Sequence, residues 1–310
     1  MADGASPLCE NQPLVPNRVI NPPTPEPIPE PIPAPSLGHP FKSLELDTWQ
    51  RGADAYDMLF GPVTRQAIQP LLDAMGVASG QRLLDVCSGT GHGVGAALAR
   101  GALAEGIDLA PAMVALAQHT YPQGRFAVGD GEELSFASQS FDAVSCLFGL
   151  NHLPDQPRAL AEAFRVLRPG GVYGFTMWRP PGPSAFHALV QDALQRHGIP
   201  VPAPAMPSPA LRFGEPGPCT EALLEAGFVD PQVRELPLAF ALDSAETLLA
   251  LARTSPRVSR QLALQPQAHR LAIETAILTA GETYRCGSEL RIPIPALLCV
   301  GRVPPAPEAA

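Results

Sequence analysis

The chain has 310 residues, 45% of them hydrophobic, with 21 Lys and Arg against 30 Asp and Glu, giving a formal net charge of −9. That length holds one large domain or two small ones, and the apolar share is enough for a sizeable core. A net acidic chain has no basic surplus to displace counterions from a nucleic-acid backbone, and no apolar run approaches the roughly 20 residues that cross a bilayer.

The start of the chain has neither a basic-then-apolar signal pattern nor an Arg-rich transit pattern, so a soluble, cytoplasmic protein is the expectation. Cys9, Cys87, Cys146, Cys219, Cys286 and Cys299 form no C-x-x-C pair and the seven histidines are scattered. No metal site is expected from such spacing.

In chain order, residues 1–43 read as a disordered proline-rich tail, because "NPPTPEPIPEPIPAP" alternates proline with Glu, Ile and Ala as an extended spacer does. From Leu44 the apolar spacing turns helical, broken at Gly61-Pro62, so two helices are predicted before residue 77. "QRLLDVC" reads as a strand, "GVGAALARG" as a helix ended by Gly101, and "AEGIDL" as a second strand. "APAMVALAQHT" is helical with Pro111 in its first turn. "GRFAVGD" and "FDAVSCLFGL" are the third and fourth strands, the latter nearly all apolar, as a strand covered on both faces should be. "PRALAEAFRVLR" is a helix, "PGG" a turn and "VYGFTMW" a fifth strand.

After Trp178 the alternation loosens. "SAFHALVQDALQRHG", "CTEALLEAG" and residues 244–283 read as helical, "VRELPLAFAL" as a sixth strand, and "SELRIPIPALLCVGRV" as a seventh. Its two prolines place that last strand at an edge, or bulged at Pro293 and Pro295. The whole predicts an α/β fold, a mostly parallel seven-stranded sheet flanked by helices. The predicted domain covers 44–303, with helical insertions within 184–285 and a short tail at 304–310.

The stretch "LLDVCSGTGHG" carries the chemistry. A strand, a small-residue loop and a helix form a nucleotide cradle: glycines allow close backbone approach, and the helix start offers unpaired N–H donors. Asp108 ends the next strand, about twenty residues on, where an acid accepts from both ribose hydroxyls. The plainer role for Asp108 is to cap the helix that follows. Gly91, Gly93 and Ala96 fit G-x-G-x-x-A, but a nicotinamide site needs its first glycine directly after the strand, and Gly91 lies well past it.

Four motifs occur in order at strand ends: "LLDVCSGTG", "GIDLAPAMVALA", "VGDGEELSFASQSFDAVSC" and "RVLRPGG". This set resembles the class I S-adenosylmethionine-dependent methyltransferases, in particular the ubiquinone/menaquinone-type C-methyltransferases and their small-molecule cousins. The resemblance is strong over about 45–180. It implies a Rossmann-like sheet whose insertions form a substrate lid, with S-adenosylmethionine as cofactor. It places the methionine part of that cofactor at Asp85, Ser88, Gly89, Thr90 and Gly91, and the ribose at Asp108. Leu109 and Met113 are implied beside the adenine, with Asp130 and Gly131 at its edge and Asp130 accepting from the exocyclic amine. A solvated turn carboxylate is the plainer reading of Asp130. The resemblance also implies that Leu147, in "LFGLNHL", borders the transferred methyl group, and that Tyr56 lies on helices that fold over the cofactor in relatives.

Two departures matter. Cys87 stands where the family usually has glycine; if that backbone needs φ > 0, a side chain costs on the order of 1 kcal/mol. Where C-methyltransferase relatives often have "FGLRN", this chain has "FGLNH", so quinone-type C-methylation is not implied. His152 in that segment is either a general base or a residue that orders the turn before Pro154. The expected activity is methyl transfer to O, C or N of a small, fairly apolar acceptor. The alternatives are a cofactor-binding module without turnover and, third, an NAD-dependent oxidoreductase.

Overall fold

The computed structural model describes residues 39–180, 184–201 and 213–307. Most of the expected tail, residues 1–38, lies outside them. Its predicted end at residue 43 is corrected: helix α1 spans Pro40–Leu59, capped by His39, whose Nδ1 accepts from the Phe41 amide at 3.2 Å. The proline that closes the proline-rich run is the first residue of the helix, where its missing N–H costs nothing.

The chain divides into two compact units. In the larger, α1 is followed by α2 (Gly61–Thr64), a 3-10 turn and α3 (Ile68–Met75), which Gly76 ends in the left-handed region at φ 70°. Then come β1 (Arg82–Val86), α4 (His92–Ala99), β2 (Leu103–Asp108), α5 (Pro111–Thr120), β3 (Arg125–Val128), β4 (Phe141–Leu147), α6 (Gln156–Val166) and β5 (Leu167–Trp178). The smaller unit opens with α7 (Ala185–His197); α8 (Pro216–Glu225) and β6 (Val229–Leu236) return to the larger. The smaller resumes with β7 (Ala239–Leu242), α9 (Ala245–Thr254), α10 (Pro256–Ala263), α11 (Gln267–Glu282), β8 (Arg285–Cys286) and β9 (Glu289–Pro293). β10 (Ala296–Arg302) completes the larger.

The larger unit holds a seven-stranded sheet in the order β3-β2-β1-β4-β5-β10-β6. β1 to β5 pair in parallel, and β10 runs antiparallel between β5 and β6. This is the predicted α/β, Rossmann-like architecture. Its strand order reverses direction at β1, with β2 on one side and β4 on the other, and ligands of such sheets lie outside the carboxyl ends of the strands at that point. The strands bury Leu84, Val144, Phe175 and Leu297 against Leu160 and Val166 of α6 and Leu223 and Phe228 beside α8. Cys146 and Cys299 sit in this core as small apolar groups.

Three boundaries differ from expectation, each at a proline. The sixth strand divides at Pro237 into β6 and β7, which belong to different sheets. The seventh divides at Ile294-Pro295 into β9 and β10, so β10 is interior and free of proline rather than an edge strand. The "PGG" turn lies inside β5 as a bulge: the register with β4 shifts between Phe141 and Ala143, and Gly170 takes φ 77°. The predicted insertion block 184–285 is likewise two segments. Residues 213–238 belong to the larger unit, while 184–201 and 239–294 form a unit of four helices around the small sheet β7-β9-β8. Among the described residues no helix is long and apolar enough to cross a membrane.

Candidate functional site

The site is built at the carboxyl ends of β1, β2 and β4. After Val86 the chain turns through Cys87 (φ 57°), Gly89 (φ 52°) and Gly91 (φ 85°) into α4. The Ser88 amide donates to the Ile107 carbonyl at 2.8 Å, which ties the loop to β2. Gly91 is the α4 N-cap and offers no side chain, so the first amides of that helix stay available to an anion. A Cβ on Gly91 would lie 2.8 Å from the Phe126 ring and 2.9 Å from the Ala117 methyl, so this glycine is fixed by packing as well as by φ. Gly89 is different: nothing lies within 4 Å of where its Cβ would be. Its bare side faces open space, and beside it the Ser88 Oγ is buried without a hydrogen-bond partner. These are the features of a cradle made for a ligand.

Cys87 does take the left-handed backbone that a glycine would occupy more easily. Its side chain fits because Gly149 lies opposite, where any Cβ would collide with that of Cys87. The cost foreseen from the sequence is therefore present, and the loop keeps its shape around it.

Asp108 fulfils the plainer reading and leaves room for the other. Its Oδ1 accepts from the Ala110 amide at the start of α5, and its Oδ2 from the Gly89 amide, each at 2.9 Å. A carboxylate has about four lone-pair sites, so acceptor capacity remains. Burial pushes the Asp108 carboxyl above its ordinary range, against hydrogen bonds from the Ala110, Gly89 and Leu109 amides. Met113, buried on α5, packs with Ala53, Ala110, Trp49 and Tyr56, while Leu109 is half-buried beside Asp108.

Asp85 is buried at 1% exposure at the end of β1 and accepts from Ser145 Oγ at 2.6 Å. Burial pushes its carboxyl up to about 7, with the Ser145 bond opposing and the charge of Asp108 adding. Leu147, at the end of β4, lies 3.0 Å from where a Cβ on Gly93 would be. Gly131 is similarly hemmed in by Val86 and Leu153.

Asp130 is no solvated turn carboxylate. Its Oδ2 lies 2.5 Å from Lys42 Nζ, and its Oδ1 accepts from the Glu132 amide at 2.9 Å. Lys42 also reaches Glu132 Oε2 at 2.6 Å, and all three residues are buried. A hollow of about 420 Å³ beside this trio is lined by His39, Lys42, Asp130, Glu132, Glu133, Pro154, Asp155 and Arg158. Lys42 falls within residues 1–43, the stretch that the sequence predicts as tail.

Lys42 is one of several inward contacts of α1. Glu45, Trp49, Ala53, Tyr56 and Asp57 follow it at the 3–4-residue spacing of one helix face. Asp57 Oδ1 accepts from Thr90 Oγ1 at 2.7 Å and meets His92 Nε2 at 2.6 Å, while His92 Nδ1 contacts the Tyr121 hydroxyl at 2.7 Å. Burial works against the charge of Asp57, yet these bonds and His92 hold its carboxyl below the usual range. Tyr56 meets Trp49 edge-on, with ring centroids 5.3 Å apart, and stacks on Phe60; burial raises its hydroxyl to about 12. Gln50 Oε1 accepts from the Ala112 amide in the first turn of α5. In this way α1 fastens to the loop, to α5 and to the Asp130 turn.

His152 closes the 3-10 turn Leu150–His152 after β4. Its Nδ1 lies 2.7 Å from Glu45 Oε2 and its Nε2 2.9 Å from Asn151 Nδ2. Trp49 Nε1 donates to the same Glu45 oxygen at 3.0 Å, and the two rings meet edge-to-face at 4.9 Å. Four residues before it, Phe148 takes φ 56°, donates its amide to Thr176 Oγ1 at 3.0 Å and stacks on Trp178 at 3.9 Å. The sequence singles out Asp85, the loop, Asp108, Asp130 and His152 as candidates. It does not single out Lys42, Glu45, Asp57 and His92, whose signal is the helical spacing along α1 and the start of α4.

The methyltransferase domain family matches residues 84–175, from β1 into β5. A demethylmenaquinone methyltransferase of Renibacterium salmoninarum is 34% identical over 140 residues, covering 45% of this chain and 59% of the relative. A nocamycin O-methyltransferase of Saccharothrix syringae is 32% identical over 283 residues, covering 83% of this chain and 98% of the relative. The chain therefore spans about three fifths of the first relative and nearly all of the second. Among solved structures, phosphoethanolamine N-methyltransferase 2 of Haemonchus contortus, in complex with S-adenosyl-L-methionine, aligns with a TM-score of 0.53 at 21% identity. The alignment covers 86% of this chain and 60% of that one, and shows a common fold.

Proposed function

We propose, for a chain that belongs to the class I S-adenosylmethionine-dependent methyltransferases, that the crevice at the ends of β1, β2 and β4 binds this cofactor for methyl transfer to an oxygen of a small, fairly apolar acceptor. The observation that carries the reading is the Gly89 cradle: open space at a bare left-handed glycine, an unpartnered buried hydroxyl on Ser88, and the Asp108 carboxylate hydrogen-bonded to the Gly89 amide. Oxygen is favoured because the relative matched over nearly its whole length is an O-methyltransferase.

Bound S-adenosylmethionine supplies a methyl group already activated by its sulfonium. The residues then have to bind, orient and exclude water, which contributes several kcal/mol through orientation alone. Asp108 holds the ribose hydroxyls through its remaining lone pairs. Asp85 and the loop Ser88–Gly91 receive the amino-acid end, where a carboxylate suits an ammonium and the free α4 amides suit a carboxylate. Leu109, Met113 and Tyr56 form the apolar walls, while Asp130, fixed by Lys42, and Gly131 bound the adenine edge. Leu147 borders the methyl group, and α1 covers the crevice.

The test is calorimetry with S-adenosylhomocysteine on the wild type and on Asp108→Ala. Two charge-assisted hydrogen bonds are lost, each worth roughly 1.5–3 kcal/mol before water replaces them. Affinity should therefore fall at least about tenfold. Unchanged affinity removes Asp108 from the site. The wild type should also gain melting temperature with S-adenosylhomocysteine and none with NAD, since only a bound ligand stabilises the native state.

A further inference from the structure

We propose that the corner of the smaller unit where α10 meets α11 docks on an anionic phospholipid bilayer. Its arginines meet the headgroup phosphates, and three aliphatic side chains reach the edge of the acyl chains. This surface lies outside residues 84–175, which the methyltransferase family matches, and includes none of the residues assigned above to the cofactor.

Positive charge is concentrated there. In a chain of formal net charge −9, residues 247–273 hold Arg253, Arg257, Arg260, His269 and Arg270 and no Asp or Glu. Arg260 and Arg270 are exposed, and neither side chain has an ion-pair or hydrogen-bond partner among the described residues. A hollow of about 480 Å³ is lined by Arg253, Ser259, Leu262, Ala263, Arg270 and Glu274. Glu274 pairs with Arg253 at 2.7 Å, and on α7 Asp192 pairs with Arg196 at 2.7 Å, so these two acids are already engaged. Two guanidinium groups and a hydroxyl around one space suit a phosphate, which a guanidinium meets with two parallel N–H bonds.

The apolar contribution is equally localised. Ile199, Leu264 and Leu271 are the large hydrophobic side chains that the described residues of the smaller unit expose, at 41%, 51% and 57%. Local structure gathers them. α10 turns Val258 and Leu262 inward, four residues apart, and leaves Ser259, Arg260 and Ala263 outside. Gln265, buried at the corner, ties it to the chain after α7. Its Oε1 accepts from the Ile199 amide at 2.8 Å, and its Nε2 donates to the Ile199 carbonyl at 3.1 Å. His269 Nδ1 donates to the His197 carbonyl at 2.7 Å. Ile199 and Leu264 are thereby fixed beside each other, with Arg270 and Leu271 one turn into α11. Aliphatic side chains ringed by cations are the pattern of a surface that lies in the membrane interface, where arginine stems cover apolar area and the heads stay with the phosphates.

Other occupants fit less well. A second copy would set the same unpaired arginines against one another across a two-fold axis, and like charges there repel. A folded acidic partner would meet the cations but would have to match three half-exposed aliphatic side chains with pockets of its own. A bilayer takes them without a matching shape. A small, fairly apolar acceptor concentrates in the same layer.

The experiment is co-sedimentation of the full chain with vesicles of phosphatidylcholine alone and of an equal mixture with phosphatidylglycerol. The wild type should partition onto the mixed vesicles and not onto the neutral ones, and added salt should release it. Arg260→Gln with Arg270→Gln should lower the partition roughly 25-fold, at about fivefold for each arginine. Arg260→Lys with Arg270→Lys should keep most of it, because the charge remains. Leu264→Ser with Leu271→Ser should lower it by about tenfold. Arg51→Gln with Arg302→Gln, the same change in net charge on the larger unit, should leave it within about twofold of wild type. Every variant should melt within a few degrees of wild type, since each substituted side chain is exposed.

Absence of partition, equal partition onto neutral vesicles, or an equal loss in the Arg51 and Arg302 control overturns the proposal. So does release from vesicles by inorganic phosphate at constant ionic strength, which would mark a site for a free anion. Retention on polyglutamate as strong as on vesicles, and untouched by the leucine substitutions, would assign the face to an acidic protein. A dimer in solution that the leucine substitutions dissolve would assign it to a second copy.

Discussion

Replacing Lys42 by Met is expected to lower the stability of the protein by about 3–5 kcal/mol, the cost of leaving one side of a buried ion group uncompensated. Lys42 is 5% exposed and its Nζ lies 2.5 Å from Asp130 Oδ2 and 2.6 Å from Glu132 Oε2. Burial alone would lower the lysine's pKa; hydrogen bonds and charge from the two carboxylates outweigh it and raise the value. Without the ammonium, two buried carboxylates face each other without the cation they share. Methionine fills the lysine stem and leaves no cavity, so the loss reports the charge. Urea unfolding should show a lower midpoint at an unchanged slope. Neutralising the carboxylates as well, in Lys42→Met with Asp130→Asn and Glu132→Gln, should recover most of the loss, because removing a whole buried ion group is far less costly than removing one partner. A loss below about 1 kcal/mol for Lys42→Met would mean that the group is solvated and that α1 is not anchored there.

That lysine also marks the limit of what the sequence discloses. Asp85, the glycine loop and Asp108 are legible because each lies at the end of a short strand run, and an apolar run such as "LLDV" followed by glycines has few other meanings. Lys42 and Glu45 follow the same 3–4-residue spacing as Ala53 and Tyr56, yet charges at helical spacing ordinarily mark the solvated face. Only partners far along the chain turn them inward: Asp130 and His152 lie 88 and 107 residues away. The proline at residue 40 adds to the concealment, since it both extends the run of prolines and starts the helix. The divided strands have a similar cause. Apolar alternation continues across Pro237 and across Ile294-Pro295, and local pattern says nothing about which sheet a strand joins. Cys87 was legible as an anomaly, but the accommodation at Gly149 depends on β1 and β4 being neighbours.

Asp85→Asn should stabilise the cofactor-free protein at pH 8 and weaken its hold on the cofactor, two effects of opposite sign from one atom. Asp85 is buried at the end of β1, with one hydrogen bond from Ser145 and with Asp108 as a nearby like charge. Its folded value of about 7 stands above the ordinary 3.8, so between roughly pH 4 and 7 the folded form keeps a proton that the unfolded chain has released. The contribution to stability is thus complete at low pH and is lost as pH rises through about 7, at most about 4 kcal/mol for a shift of roughly three units. Wild type should therefore be more stable at pH 5 than at pH 8 by more than Asp85→Asn is, and the difference between the two proteins cancels the contribution of the histidines. Asparagine keeps an oxygen for Ser145 and carries no charge to desolvate. The cofactor reverses the preference, because an ammonium beside Asp85 favours the ionised form. Wild-type affinity for S-adenosylhomocysteine should accordingly rise across pH 6–8 relative to that of the variant. A buried carboxyl with a single side-chain hydrogen bond, from Ser145, is an acid kept ready for a cation, the kind of perturbed group that collects at functional sites. Equal pH dependence of stability in the two proteins would show that Asp85 is already ionised and paired without the ligand, and the assignment of the amino-acid end to this residue would fall with it.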